Sequence, residues 1–319
     1  MLITVANQPL AALSYQEEAM AAVKKAGTRI ALNNVVYLTD FSEPSEAALP
    51  FAAAVAREYG AKVFAYHVLI PAAYVYTAPE LVTVGLEAQE EAAEQNMKRA
   101  EAQLSGVAHE MVIERAAEIW PPLVQAMKDY NADLIVVGTH GRTGAEKLML
   151  GSVAEEVFRK SPVPVLTIGP ETRRCAHAGA KFHKILYATD FSADSLAAVP
   201  YAVSLAEENQ ARLILLHVMK PSSTPLSERE AQDLISNATF QLHDIVPASA
   251  ELWCTAEAIV REGNPADKIL EVAREKEADL IVLGVRQAEG RLGAATHLER
   301  ATAHKVVVHA KCPVLTVRD

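Results

Sequence analysis

The feature that most constrains this chain is that it is written twice. Asn34-Val-Val-Tyr-Leu-Thr-Asp-Phe-Ser42 returns as Lys184-Ile-Leu-Tyr-Ala-Thr-Asp-Phe-Ser192, and at the same offset Pro50 returns as Pro200 and His67-Val68 as His217-Val218. Further on, Ala132-Asp-Leu-Ile-Val-Val-Gly138 is answered by Ala278-Asp-Leu-Ile-Val-Leu-Gly284, and Pro164-Val-Leu-Thr-Ile168 by Pro313-Val-Leu-Thr-Val317. A repeat this long is a duplicated domain rather than a solenoid unit. With 319 residues, two domains of about 150 each have enough chain to bury a core of their own.

Within the first copy, short β-branched runs alternate with longer alanine-rich stretches. The pattern predicts strands near 34–40, 62–69, 108–114, 133–138 and 163–168, and helices near 44–59, 80–104, 120–130 and 152–160. Strands joined through helices are parallel, with right-handed crossovers and helices on both faces. Two tandem doubly wound α/β domains follow, at residues 33–169 and 183–319, with 170–182 as a polar linker. Residues 1–32 are an extension in which Ser14-x-x-Glu17 resembles a capping box opening a short helix that stops at Gly27.

Composition narrows the partners. A net charge of −10 argues against general affinity for nucleic acid or an anionic membrane surface. No apolar stretch reaches the length of a membrane span, and the N-terminus is read as lacking a signal peptide. Cys175, Cys254 and Cys312 form neither a CxxC pair nor a metal-ligand spacing, so a reducing cytoplasm is the expected setting.

The chemistry concentrates after the fourth strand of the first copy. Gly138-Thr-His-Gly141-Arg-Thr-Gly144-Ala-Glu-Lys-Leu-Met-Leu-Gly151-Ser152 follows an apolar strand and precedes Val153-Ala-Glu-Glu-Val-Phe-Arg-Lys160, a predicted helix with Val153 and Val157 on one face. A strand, a glycine-rich crossing and a helix start together make a phosphate cradle. Unpaired amides point outward, the helix dipole favours anions, and glycine admits a close ligand. The Walker lysine and the Gly-x-Gly-x-x-Gly fingerprint are both absent.

The spacing Gly138-x2-Gly141-x9-Gly151-Ser152 resembles the ATP-binding motif of the universal stress protein family, as do Ser152-Val-Ala-Glu-Glu-Val157 and Pro162-Val-Pro-Val-Leu-Thr-Ile168. The resemblance spans both copies. It implies five-stranded parallel sheets of order 3-2-1-4-5, similar to the adenine nucleotide α-hydrolases, and an ATP ligand with Mg2+ as an optional companion. It further implies that Asp40 contacts the adenosine, that Val68 offers its backbone to the base, and that Gly138, Gly141, Gly151 and Ser152 wrap the phosphates. His140, Arg142 and Val153 would flank the same groove. These are the chemical types a nucleotide needs: a carboxylate for ribose hydroxyls, backbone groups for a base, N–H donors for phosphate. Asp40 admits a second reading as a cap for the helix near Pro44, since its twin Asp190 stands in a copy without the cradle. His67 and His217 occur in both copies, which favours packing at a strand end.

Aligned backwards from its last strand, the second copy puts Arg300-Ala301 at the positions of Gly151-Ser152 and Gln287 in place of the second glycine. An arginine at that helix start would fill the space a phosphate needs, so one site, in the first copy, is expected. Arg286, Arg291 and Arg300 binding an anion by charge is the counter-reading. No Walker lysine, no kinase-type catalytic-loop aspartate with its asparagine and no water-activating carboxylate in the loop is evident, which points to a ligand that is held and sensed, with slow hydrolysis at most. The expectation is a cytoplasmic stress-response factor. A competing reading is a nucleotide-independent scaffold that pairs through its last-strand edges, as an intrachain pseudo-dimer or a homodimer.

Overall fold

Val35, Val36, Tyr37 and Leu38 are buried on both faces of their strand, as a central strand of a parallel sheet covered by helices must be. A computed structural model of the protein describes residues 29–70, 79–139, 150–172, 181–222, 224–247, 250, 256–285 and 294–318; for 79–85 and 294–301 it describes the backbone. The Ser14–Glu17 capping box, Gly27 and linker residues 173–180 lie outside the described residues.

The chain forms two units. The first takes Ala31–Lys181 together with Val307–Thr316. Its elements are β1 (Asn34–Leu38), α1 (Glu43–Glu46), α2 (Leu49–Tyr59), β2 (Lys62–Leu69), α3 (Pro79–Gln103), β3 (His109–Arg115), α4 (Trp120–Asp129), β4 (Leu134–Gly138), α5 (Ser152–Lys160) and β5 (Val165–Ile168). The five strands are parallel in the order β3-β2-β1-β4-β5, with Val35 level with both Val63 and Leu134. Asp133 pins the start of β1 beside β4, its Oδ2 accepting from the Asn33 and Asn34 amides at 2.7 and 3.0 Å.

The single helix predicted at 44–59 is broken in two. Ala47 closes α1, and Pro50 sits in the first turn of α2. Proline has no N–H to give to the carbonyl four residues back and its ring crowds that carbonyl, so the chain restarts rather than continues. On α5, Ala154, Val157 and Phe158 are the buried residues, whereas Val153 is only half-buried. Val153 stands one turn before Val157 on the same side of α5, as the sequence pattern suggested, and is less covered there because it lies in the first turn of the helix.

The free edge of β5 is occupied. Residues 314–316 of β10 (Val314–Val317) pair antiparallel with it, Leu315 opposite Leu166, and the Thr167 hydroxyl donates to the Val314 carbonyl at 3.0 Å. An apolar edge strand gains a ladder this way and loses its capacity to recruit another chain.

The second unit takes Phe182–Val306 with residues up to Ile30 and from Val317. Its elements are β6 (Lys184–Thr189), α6 (Ala193–Leu196), α7 (Val199–Asn209), β7 (Arg212–Met219), α8 (Glu228–Asp244), β8 (Ala256–Glu262), α9 (Pro265–Glu275), β9 (Leu280–Gly284) and α10 (Ala294–His309). Strand order β8-β7-β6-β9 repeats 3-2-1-4, all parallel. Asp279 plays the part of Asp133, its carboxylate accepting from the His183 and Lys184 amides at 2.8 and 3.0 Å. Arg29 and Ile30 are tied to α7, through an Arg29–Glu208 ion pair at 2.8 Å and an Ile30 N–H to Ser204 Oγ bond at 3.2 Å.

Candidate functional site

In the first unit, the carboxyl ends of β1, β2 and β4 and the amino end of α5 surround a cleft of about 490 Å³. This is the place where the strand order reverses, between β1 and β4, and the chain departs to opposite faces on either side of it. Six of the nine residues expected to form a site line it: Asp40, Val68, Gly138, Gly151, Ser152 and Val153. His140, Gly141 and Arg142 lie outside the described residues, as do Gly144 and Lys147.

The β1 end is locked by a local network. Phe41 adopts a left-handed backbone with φ of 60°, which an L side chain rarely does. That turn lets Asp40 Oδ1 accept from the Ser42 amide at 3.0 Å and the Ser42 hydroxyl at 2.5 Å. Ser42 in turn caps α1, its hydroxyl accepting from the Ser45 amide. Beneath, Thr39 and Ser45 hydroxyls meet at 3.1 Å, and the Tyr37 hydroxyl donates to the Ser45 carbonyl at 2.9 Å. Burial raises the Tyr37 phenol well above its ordinary range, so it acts only as a neutral donor. His67 Nδ1 donates to the Thr39 carbonyl at 2.8 Å, and its ring lies 4.4 Å from that of Phe41.

Every one of these contacts recurs around β6. Asp190 accepts from the Ser192 amide and hydroxyl, Tyr187 donates to Ser195, His217 to Thr189, and Phe191 is left-handed at 62° against His217. The carboxylate and the histidine are therefore parts of a turn that both units need. Asp40 holds the turn before α1 while Ser42 is the helix cap, and this leaves the carboxylate at the rim of the cleft in the first unit.

Gly138 also has a packing reason. A Cβ there would stand 2.6 Å from the Pro44 carbonyl oxygen and 3.0 Å from Ser45 Cα. The end of β4 approaches α1 more closely than any side chain permits. Gly284 has the same constraint, 2.0 Å from the Asp194 carbonyl oxygen.

What differs between the units is the start of the last helix. In the first, Gly151 is the N-cap, extended at φ −62° and ψ 149°, with no side-chain bond to the first turn. Any residue adopts that backbone; glycine contributes only the absence of a side chain. The Gly151 amide donates to the Thr139 carbonyl at 2.8 Å, and the first helical bond is Glu155 N–H to Gly151 oxygen at 2.8 Å. The amides of Ser152, Val153 and Ala154 precede that bond and line the cleft. With the exposed Ser152 hydroxyl beside them, they form a donor set at the positive end of a nine-residue helix.

In the second unit α10 begins at Ala294, so Arg300 lies in the helix interior and not at its start. The expectation that Arg300 plugs a helix terminus is thus corrected. Ala294-Ala-Thr-His-Leu-Glu-Arg-Ala301 contains no glycine, and good helix formers carry the helix back through the position where Gly151 starts it in the first copy. The amides aligned with Ser152–Ala154 are then inside a helix and committed to carbonyls four residues back. Arg286, Gln287 and Arg291 lie outside the described residues.

Sequence reasoning missed one wall. Gln89, Ala92, Ala93 and Asn96 of α3 line the cleft, together with Ile119 before α4. Their spacing of three, four and seven was a legible helical face, but an amide and alanine stripe carries no motif. Among the described residues, no cluster of three or more His, Cys, Asp or Glu side chains is placed to hold a metal, and no helix is long and apolar enough to cross a membrane.

The family model described as the universal stress protein family matches residues 31–169 and 181–318. A universal stress protein of Bacillus subtilis, YxiE, is 35% identical over 150 residues, covering 43% of this chain and 99% of its own. One from Mycolicibacterium smegmatis is 26% identical over 293 residues, covering 88% of this chain and 95% of its own. Among solved structures, a universal stress protein from Archaeoglobus fulgidus superposes with a TM-score of 0.66 at 21% identity, over 91% of this chain and 99% of that one, which is a likeness of fold.

Proposed function

The chain belongs to the universal stress protein family, and from that premise we propose that its first unit binds ATP, or a closely related adenine nucleotide, as a regulatory ligand. One observation carries the reading. The amino end of α5, without a side-chain cap, and the rim carboxylate of Asp40 line a single cleft with Val68 at the β2 end, which brings donors for phosphate and an acceptor for a nucleoside to one site. The triphosphate would take the Ser152, Val153 and Ala154 amides and the Ser152 hydroxyl; the ribose would take Asp40; the base would lie toward Val68. Mg2+, where it accompanies the ligand, would be held through the phosphates, since the described residues offer no metal cluster.

The cleft is built for holding rather than turnover. Among the described residues, the cleft imidazole of His67 is spent on the Thr39 carbonyl and Asp40 is engaged with Ser42, so neither is poised beside a γ-phosphate. The second unit, whose aligned amides are helical, serves as a partner domain without a phosphate site. A cytoplasmic stress-response role in which nucleotide state alters shape or partners follows from this reading. The scaffold alternative keeps support in its intrachain form, because β10 pairs with the β5 edge; that pairing leaves the same edge closed to a second protomer.

Thermal unfolding with ATP, ADP, AMP and inorganic triphosphate tests the proposal. At a hundredfold excess over the dissociation constant, ATP should stabilise by about 2.7 kcal/mol. Gly151→Arg puts a long cation at the helix start on a backbone that accepts it; it should abolish the shift and leave the unliganded melting point nearly unchanged. No shift with any adenine nucleotide, or an undiminished shift in the variant, would remove the proposal.

A further inference from the structure

We infer that Asn96, on the cleft face of α3, reads the edge of the base and sets a preference for adenine over guanine. The inference rests on the nucleotide reading above and assigns its specificity.

Most of the polar side chains around the cleft are already committed. Thr39, Ser45 and His67 are hydrogen-bonded to one another's turn, and Asp40 to Ser42. Ser152 lies at the phosphate end. The side-chain amides of α3 are different. Among the described residues the Gln89 side chain has no hydrogen bond, and Asn96 has one long contact, 3.4 Å from an exposed Arg99 guanidinium. Gln89 is exposed at the mouth, whereas Asn96 is half-buried next to Ala93 and Met97, which pack inward. Between the two amides the cleft face of the helix carries only Ala92 and Ala93, methyl groups against which a flat ring can lie. Seven residues of helix separate them by about 10 Å, so the pair brackets a surface the length of a nucleoside.

Position assigns the base to this wall. α3 follows β2 and packs on β2 and β3, so its face borders the Val68 end of the cleft, away from the anion donors of α5. Chemistry then selects the base. A primary amide offers one acceptor and one donor side by side, which matches the adenine amino group and N7 in a paired contact. Guanine presents two acceptors, O6 and N7, on the corresponding edge. The amide oxygen of Asn96 would then face O6 without a proton between them.

The test uses the full-length protein and measures ATP, GTP and inorganic triphosphate binding by calorimetry, for the parent and for Asn96→Leu, a near-isostere without polar atoms. The parent should prefer ATP. The variant should bind ATP about tenfold more weakly, the loss of one paired base contact, while GTP and triphosphate change little, so that selectivity collapses. Asn96→Ala serves if leucine disturbs folding, judged by the melting point without ligand. If the parent binds ATP and the variant keeps the parental ATP-to-GTP ratio, the role of Asn96 is overturned and the nucleotide site stands. If the parent binds no nucleotide, both fall together. A variant that loses all three ligands equally overturns the base contact, because a reader of bases does not touch triphosphate.

Discussion

Replacing Gly138 by alanine separates the two reasons for a glycine at that position. The added Cβ would sit 2.6 Å from the Pro44 carbonyl oxygen, whereas ordinary contact begins at 3.4 Å, so α1 must retreat by about 0.8 Å. Three of the nearest atoms are backbone, of Pro44 and Ser45, and no side-chain rotation relieves the overlap. The same retreat draws the Ser45 carbonyl from the buried Tyr37 hydroxyl, whose bond of 2.9 Å would lengthen beyond useful range. Overpacking of this kind costs about 1–3 kcal/mol and the weakened buried bond about 1 more, for a loss of about 2–4 kcal/mol. In Gly284→Ala the starting overlap is deeper, 2.0 Å from the Asp194 oxygen, so the loss there should be at least as large although no phosphate site is expected nearby. Urea denaturation of the full chain, followed by tyrosine fluorescence and far-UV dichroism, reads both. A Gly138→Ala protein with the parental urea midpoint would refute the close-approach argument and return this glycine to the ligand alone.

Asp40→Asn keeps an oxygen to accept from the Ser42 amide and hydroxyl, so it should unfold within about 0.5 kcal/mol of the parent, whereas Asp40→Ala should lose about 1 kcal/mol, a typical cap value; both should weaken ATP binding, and equal stability losses would show the turn does not need the acceptor. Ser152→Ala removes an exposed hydroxyl and should leave the melting point unchanged while lowering ATP affinity several-fold in calorimetry; unchanged affinity would take the hydroxyl out of the site. Burial holds the His217 imidazole below its ordinary 6.5, against the opposing bond to Thr189 and the charge of Asp190. The unfolded chain therefore binds that proton more readily, and folding stability should fall as pH drops through 6.5. Asp190 adds nothing in that range: burial opposes its ionisation, the Ser192 bonds outweigh it, and its contribution is lost only below 3.8. His217→Gln should flatten the urea midpoint between pH 7.5 and 5.5, and a slope identical to the parent's would exclude the histidine.

The duplication, the β-α alternation and the position of the glycine-bearing crossing between β4 and α5 were all legible in the residues, because each is a local pattern. Strand burial is written as β-branched runs and domain doubling as repeated text, and the strands at 62–69 and helix at 152–160 fall where the pattern put them. Even the equal presence of Asp40 and Asp190 signalled a structural duty. What the sequence could not decide were matters of where a helix starts and which surfaces meet. Gly151 and Arg300 align, yet one precedes a helix and the other lies inside one, because helix extension is cooperative and depends on the whole run of formers upstream. The break before Pro50 was missed although its cause is local, whereas the demand for glycine at 138 arises from a carbonyl of α1, distant in chain and close in space. The α3 wall, with Asn96 beside the β2 end, exists only once crossovers have folded α3 back against the sheet. Local sequence fixes which conformations a segment prefers; only packing decides which of its atoms are left facing a cleft without a partner.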